Sequence, residues 1–271
     1  ELGYRLSNGK YRSKLIQDVL WPYVRQATVN LVEEHPCDLF LSVHPIINTP
    51  ILRALDPNHA PYVTVITDLV TTHAFWYNKS ATLTLTPTEE ARQRGIELGL
   101  DPQSIEFVGQ PIADQFRQPS SPRNVLRKKF DWPEDLPVAL MVGGGEGMGP
   151  IKEMVHAVDQ AGINLMLAII AGRNQALKES LEGAGLQTPH KIYGFVDNMP
   201  ELMKAADIIL TKAGPGTISE AFIAGLPMIL YAKMPGQEDG NVDYVLKKGA
   251  GVWAPYPEKV VATLRFWLDR P

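Results

Sequence analysis

Along nearly the whole chain, short apolar runs alternate with stretches of helical periodicity, and each run ends in a polar loop. In the second half the runs are 138–142, 165–171, 191–193, 207–210 and 228–231. The loops after them read GGGEG (143–147), GRN (172–174), GFV (194–196), KAGPGT (212–217) and PGQEDGN (235–241). The first half carries similar runs at 38–43, 62–66, 82–85 and 105–108. Strands this short, alternating with helices, predict parallel sheets built from βαβ units, an α/β chain. Ligands of such sheets bind beyond the carboxyl ends of the strands, so the post-strand loops carry the functional information.

Between the two series, residues 109–137 break the pattern with five prolines and a basic patch at Arg127-Lys128-Lys129, although 122–130 can form a short helix. A boundary there divides the chain into Rossmann-like domains at 1–118 and 119–271, expected to face one another across a cleft. Apolar residues at helical spacing predict a helix over 13–34, with Pro22 expected to kink or split it. Thr88 is placed to cap a helix over 89–98, and another is expected over 217–225.

The 271 residues are 45% hydrophobic and 21% charged, enough apolar material for two such domains. A formal net charge of −4 gives no basic field for nucleic acid. Cys37 is the only cysteine, which excludes an intramolecular disulfide. No apolar run approaches the roughly 20 residues of a membrane-spanning helix. No HExxH pattern and no Asp-x-Asp pair after a strand point to a metal in the second half.

The KAGPGT loop is the most specific of the five. Amides of Gly214, Gly216 and Thr217, with the Thr217 hydroxyl, can surround a diphosphate at the start of a helix. Pro215 fits the turn. Glu220, three residues past Thr217, can accept two hydrogen bonds from a ribose diol; alternatively, Thr217 and Glu220 form a capping box. Gly145 and Glu146 lie on a second phosphate-type loop. Gly194-Phe195-Val196 can offer backbone to a base edge and an apolar wall. Gln237, Glu238 and Asn241 supply amide and carboxylate groups suited to sugar hydroxyls, or form a polar surface turn.

These segments resemble a known family. GGGEGMGP (143–150), GFVDNM (194–199), TKAGPGTISEA (211–221), GLP (225–227) and PGQEDGN (235–241) resemble the donor-binding half of GT-B glycosyltransferases. They are most similar to the monogalactosyldiacylglycerol synthases, relatives of the lipid II-forming peptidoglycan transferase. SVHP (42–45) and TVITDLVTTHAFW (64–76) are similar to the acceptor half of those enzymes and of the diacylglycerol glucosyltransferases. The resemblance implies an inverting transfer of hexose, galactose before glucose, from a UDP-sugar to the 3-hydroxyl of diacylglycerol. It implies that Phe195 and Val196 hold uracil and that Glu220 holds the ribose. Gly145, Glu146 and Gly214 to Thr217 would hold the diphosphate, with Arg173 beside the leaving group. Gln237 and Glu238 would read the hexose. No metal is required in this fold, because helix-end amides stabilise the departing UDP. The alternatives are transfer of GlcNAc to a polyprenyl-linked acceptor, or a UDP-sugar-binding module inactive as this single chain.

Family members open with a strand and a histidine-bearing glycine loop that supplies the general base. The sequence contains no such segment, so the acceptor-side domain is expected to be incomplete. His73, with Asp68 to orient it, is the remaining candidate base, against a structural role for both. His44 reads as structural; His35, His59, His156 and His190 are assigned nothing. A diacylglycerol acceptor implies peripheral attachment at the cytoplasmic side of a membrane. Arg5, Lys10, Arg12, Lys14 and Arg25, interleaved with Tyr4, Tyr11, Trp21 and Tyr23, suit an anionic lipid surface.

Overall fold

The computed structural model describes residues 2–56, 60–147 and 149–269, apart from the side chains of Leu2, Arg5 and Lys10. The expectations placed on Arg5, Lys10 and His59 lie outside the described side chains. The chain divides into two compact units, Glu1–Pro111 with Pro235–Gly240, and Ile112–Met234 with Asn241–Pro271. The division falls at Pro111/Ile112 rather than at 118/119. The 3-10 turn Asp114–Arg117 packs on a helix of the second unit, α9 below, and goes with it.

The first unit comprises α1 (Leu2–Ser7), α2 (Lys10–Glu34), β1 (Phe40–Ser42), α3 (Pro45–Ala54), β2 (Tyr62–Val65), β3 (Leu83–Thr86), α4 (Glu89–Glu97) and β4 (Ile105–Phe107). Its strands are all parallel, in the order β1-β2-β3-β4. Helix α2 runs through Pro22 without a break, so of the kink or split expected there the split does not occur. Proline removes one hydrogen bond from a helix of 25 residues, and packing of α2 on α3 outweighs that loss. Helix α3, which periodicity did not suggest, starts where His44 Nδ1 accepts the Ile46 N–H, with Pro45 in its first turn. Thr88 caps α4 as expected, accepting the Ala91 N–H at 3.1 Å.

The second unit comprises α5 (Arg123–Phe130), β5 (Val138–Val142), α6 (Ile151–Gln160), β6 (Met166–Ile170), α7 (Gln175–Glu182), β7 (His190–Tyr193), α8 (Met199–Ala205), β8 (Ile208–Lys212), α9 (Pro215–Ala224), β9 (Met228–Ala232), α10 (Asp239–Lys247), β10 (Gly251–Trp253) and α11 (Pro257–Leu268). Its six parallel strands lie in the order β7-β6-β5-β8-β9-β10. Every residue of β5 and β6 is buried, the signature of a sheet covered on both faces and the reason these runs are continuously apolar. Strand β10 and helix α11 went unpredicted; Val260 and Leu264 of α11 are buried in the same core as Met154 and Val158 of α6.

The strand order reverses between β5 and β8, which are neighbours although two strands separate them in sequence. At such a switch point the loops on either side diverge to opposite faces and leave a crevice. The loops that flank it are GGGEG and KAGPG, the two that the sequence marks most strongly.

Candidate functional site

The site of the second unit is built on three post-strand loops that lock together. Gly147 has φ +57°, and a Cβ there would lie 2.2 Å from the Ala171 carbonyl oxygen. Gly172 has φ +62°, and its Cβ would lie 2.4 Å from the Gly145 oxygen. Only glycine serves at either position, because it alone combines a left-handed backbone with no side chain. The Arg173 N–H donates to Gly145 O at 2.8 Å, and Asn174 caps α7 through the Leu177 N–H at 2.9 Å. The Arg173 guanidinium donates to the Glu146 carboxylate at 2.8 Å and stands 4.5 Å from the centre of the Phe195 ring. Loops after β5, β6 and β7 thus bring Gly145, Glu146, Arg173 and Phe195 together. Phe195 is exposed and Val196 half-buried beside it.

Across the switch point, β8 runs into α9. Gly214 is the N-cap of that helix, Pro215 carries no N–H, and Ile218 is the first amide to bond, to Gly214 O at 3.1 Å. Gly216 and Thr217 therefore present the two open amides at the positive end of the helix dipole. A Cβ on Gly216 would meet nothing within 4 Å, so the space before it is free. The helix starts two residues earlier than the sequence suggested, with no side-chain cap, and the capping box of Thr217 and Glu220 does not form. Glu220 instead stands one turn inside α9 with no hydrogen-bond partner among the described residues, its pKa raised by burial. A half-buried carboxylate without a donor is a poor stabiliser and a good ligand group.

Of the three residues expected at the hexose, two lie in the first unit and one in the second. Asn241 is 1% exposed, and its Nδ2 donates to Ala213 O at 2.9 Å, so it faces the protein and not a hexose. Gln237 and Glu238 pack with the first unit, where Gln237 Nε2 donates to Asp68 Oδ1 at 3.2 Å and Glu238 is buried. A cavity of about 680 Å³ in the second unit lies at the opposite ends of the strands, beside Pro137, Ile208 and Pro227. Parallel sheets bind at their carboxyl ends, and we assign the site to the loops.

In the first unit His73 is not a free base. Its Nδ1 accepts the Phe75 N–H at 3.1 Å, which caps the 3-10 turn Ala74–Trp76. The neutral ring must then carry its proton on Nε2, which lies 2.9 Å from Ser7 Oγ. With both nitrogens engaged, no lone pair is left for an acceptor hydroxyl. Asp68 does not orient His73; its two oxygens accept from Trp76 Nε1 at 2.8 Å and from Gln237. Trp76 is core.

Burial, and then the Arg94 charge, lower the His73 pKa to about 4. Since the folded value lies below the ordinary 6.5, the neutral ring stabilises the fold fully above that pH, and the contribution is lost as pH falls from 6.5 through 4. We expect the urea midpoint of His73→Asn, which keeps an acceptor for Phe75, to lack that component of the acid loss. A constant difference between the two proteins across this window would contradict it.

Among the described residues no three His, Cys, Asp or Glu side chains gather as a metal ion would require, and no helix is long and apolar enough to cross a membrane.

Comparison with known proteins agrees with this architecture. Residues 1–112 match the family described as monogalactosyldiacylglycerol (MGDG) synthase, and residues 138–265 the glycosyltransferase family 28 C-terminal domain. The chain is 39% identical over 255 residues to the chloroplastic monogalactosyldiacylglycerol synthase of Spinacia oleracea, covering 90% of this chain and 49% of the relative. It spans about half the length of the curated relatives it matches. Among solved structures, MurG of Acinetobacter baumannii superposes with a TM-score of 0.66 at 16% identity, covering 92% of this chain and 71% of that one. Anabaena HepE, solved with UDP-glucose, superposes with a TM-score of 0.61 at 15% identity, over 91% and 72%. Of the two Rossmann-like units of GT-B type, the first thus matches the monogalactosyldiacylglycerol synthase family along its length, and the second the glycosyltransferase family 28 C-terminal domain.

Proposed function

We propose that the chain carries the donor and acceptor halves of a UDP-hexose:diacylglycerol glycosyltransferase, with galactose the favoured hexose and glucose next. The observation that carries the reading is the start of α9, where two open amides and an unpartnered, half-buried Glu220 stand one turn apart at the switch point. The amides of Gly216 and Thr217 suit the diphosphate, and Glu220 the ribose diol. Arg173, stacked on Phe195, stands where it can meet uracil or phosphate.

In the reaction the 3-hydroxyl oxygen of diacylglycerol attacks the anomeric carbon from the face opposite UDP. The C–O bond to the β-phosphate breaks, its electron pair stays on the phosphate oxygen, and the configuration inverts. Charge grows on the leaving diphosphate, and the helix-end amides are aimed at it without reorganisation. In this reading that stabilisation stands in place of a metal ion. The base that takes the hydroxyl proton is not His73, whose lone pair belongs to Phe75.

A membrane surface is the natural source of such an acceptor. Tyr11, Leu15, Val19 and Tyr23 of α2 are all exposed, at four-residue spacing, with Arg12 beside them. The stripe lies opposite the face that buries Ser13 and Thr28. Interfacial aromatics with a cation suit an anionic leaflet.

Incubating the protein with radiolabelled UDP-galactose or UDP-glucose and diacylglycerol vesicles, neutral or anionic, tests the whole reading. Labelled monohexosyldiacylglycerol is expected, more with galactose and more on anionic vesicles. UDP binding without lipid product would leave a nucleotide-sugar-binding protein and remove the transferase assignment. A narrower test is Gly216→Ala. Alanine is well tolerated in the first turn of a helix and meets nothing in the fold, so stability is expected within about 1 kcal/mol of wild type. The methyl group occupies the space before the open amides, so UDP affinity should fall at least tenfold. Unchanged affinity would move the diphosphate elsewhere.

A further inference from the structure

We propose that Asn241 is a positioning residue for the phosphate turn: its side-chain amide holds the Ala213 carbonyl and fixes α9 with its leading amides open. The inference rests on the nucleotide reading above and deepens it. Asn241 is 1% exposed on α10, so it acts through the backbone it holds and not on a ligand.

Three hydrogen bonds tie the two successive peptide groups of this turn, Lys212–Ala213 and Ala213–Gly214. The Ala213 N–H donates to Ala232 O of β9 at 2.7 Å, Asn241 Nδ2 donates to Ala213 O at 2.9 Å, and the Gly214 N–H donates to Lys212 O at 2.7 Å. In an uninterrupted α-helix the Ala213 carbonyl would be the partner of the Thr217 N–H, four residues on. Here it is turned to α10, the first helical bond is that of Ile218, and the Thr217 and Gly216 donors have no partner among the described residues. Strand β9 and helix α10 thus hold the turn from two sides, and no part of the ligand is needed to shape it.

The other end of the same side chain shows what it is for. Asn241 Oδ1 is buried with no hydrogen-bond partner among the described residues. A buried acceptor left unused destabilises a fold, and a leucine of similar size would avoid it. The donor at Ala213 is what the amide supplies in return. The spacing of Asn241 within PGQEDGN suggested a sugar ligand; its burial and its partner make it part of the diphosphate turn instead.

Asn241→Asp is the decisive variant, because it keeps the shape and replaces the donor with an acceptor facing a carbonyl. Calorimetric titration with UDP, uridine and inorganic pyrophosphate is expected to show UDP and pyrophosphate affinity reduced at least tenfold, with uridine affinity within twofold of wild type. A general loosening of the unit would lower uridine and UDP alike, and that result overturns the proposal, as does unchanged UDP affinity. If the aspartate variant does not fold, Asn241→Ser, which retains a hydroxyl donor on a shorter arm, is judged by the same ratio. If wild type binds pyrophosphate but neither uridine nor UDP, the nucleotide reading fails while the pyrophosphate ratio still decides the role of Asn241. Absence of pyrophosphate and UDP binding in wild type overturns both.

Discussion

Glu220→Ala is expected to weaken UDP binding by roughly 10- to 100-fold while leaving the fold intact. Hydrogen bonds to an ionised group contribute about 1.5–3 kcal/mol each, and every 1.4 kcal/mol is a factor of ten in affinity. The folded protein loses nothing comparable, because Glu220 bonds no other described residue and its burial already opposes its ionisation. Removing it should raise stability slightly at neutral pH. That combination, weaker binding in a fold at least as stable, separates a ligand carboxylate from a structural one. The pH dependence gives a second signature. The raised pKa means that protonation begins at higher pH than for an ordinary glutamate, and a protonated carboxyl accepts from only part of the diol. UDP affinity of wild type should therefore fall further than that of Glu220→Gln as pH is lowered, since the terminal phosphate of UDP titrates alike for both. Isothermal titration of both proteins from pH 7.5 to pH 5 makes the comparison. Equal affinities at neutral pH would remove Glu220 from the site.

The sheets were legible because a strand buried on both faces has no choice of composition. Strands β5, β6 and β9 read as unbroken apolar runs and β8 opens on one, and the loops after them stood out against that background. Helix α3 was hidden by Pro45 and Pro50, which suggest a turn unless the histidine before them is seen to cap. Strand β10 has three half-buried residues, too few for periodicity. The site was half legible. Residue type and spacing identified the GPGT turn and Glu220, but not the residue at which α9 begins. That is set by Asn241 and Ala232, distant in sequence, which take the backbone groups of Ala213. Likewise His73 has the type of a base, and only the position of the Phe75 N–H shows that its lone pair is spent. Partners of this kind leave no trace in local sequence.

Gly172→Ala should be among the most damaging single methyl groups in the second unit. The GGGEG loop reads as a phosphate-type loop, yet Gly172 of the neighbouring GRN loop packs against its backbone: an added Cβ would lie 2.4 Å from Gly145 O and 2.9 Å from Gly144 O. Neither contact can be relieved by a rotamer, since both are backbone. A left-handed alanine costs about 1–2 kcal/mol before any clash, and forcing two packed loops apart adds about 1–3 kcal/mol. A loss of roughly 2–5 kcal/mol is expected in chemical denaturation. The functional consequence follows from the same contact. Parting the loops breaks the Arg173 N–H bond to Gly145 O and carries the guanidinium away from Glu146 and Phe195, so UDP binding should fall even where the variant stays folded. Gly216→Ala is the matched control, a glycine in the neighbouring turn whose methyl group meets open space. The pair should behave oppositely, Gly216→Ala losing affinity at constant stability and Gly172→Ala losing both. If Gly172→Ala proves as stable as wild type, the interlocked loops are not the support of this site, and Arg173 would have to be held by its ion pair and ring contact alone.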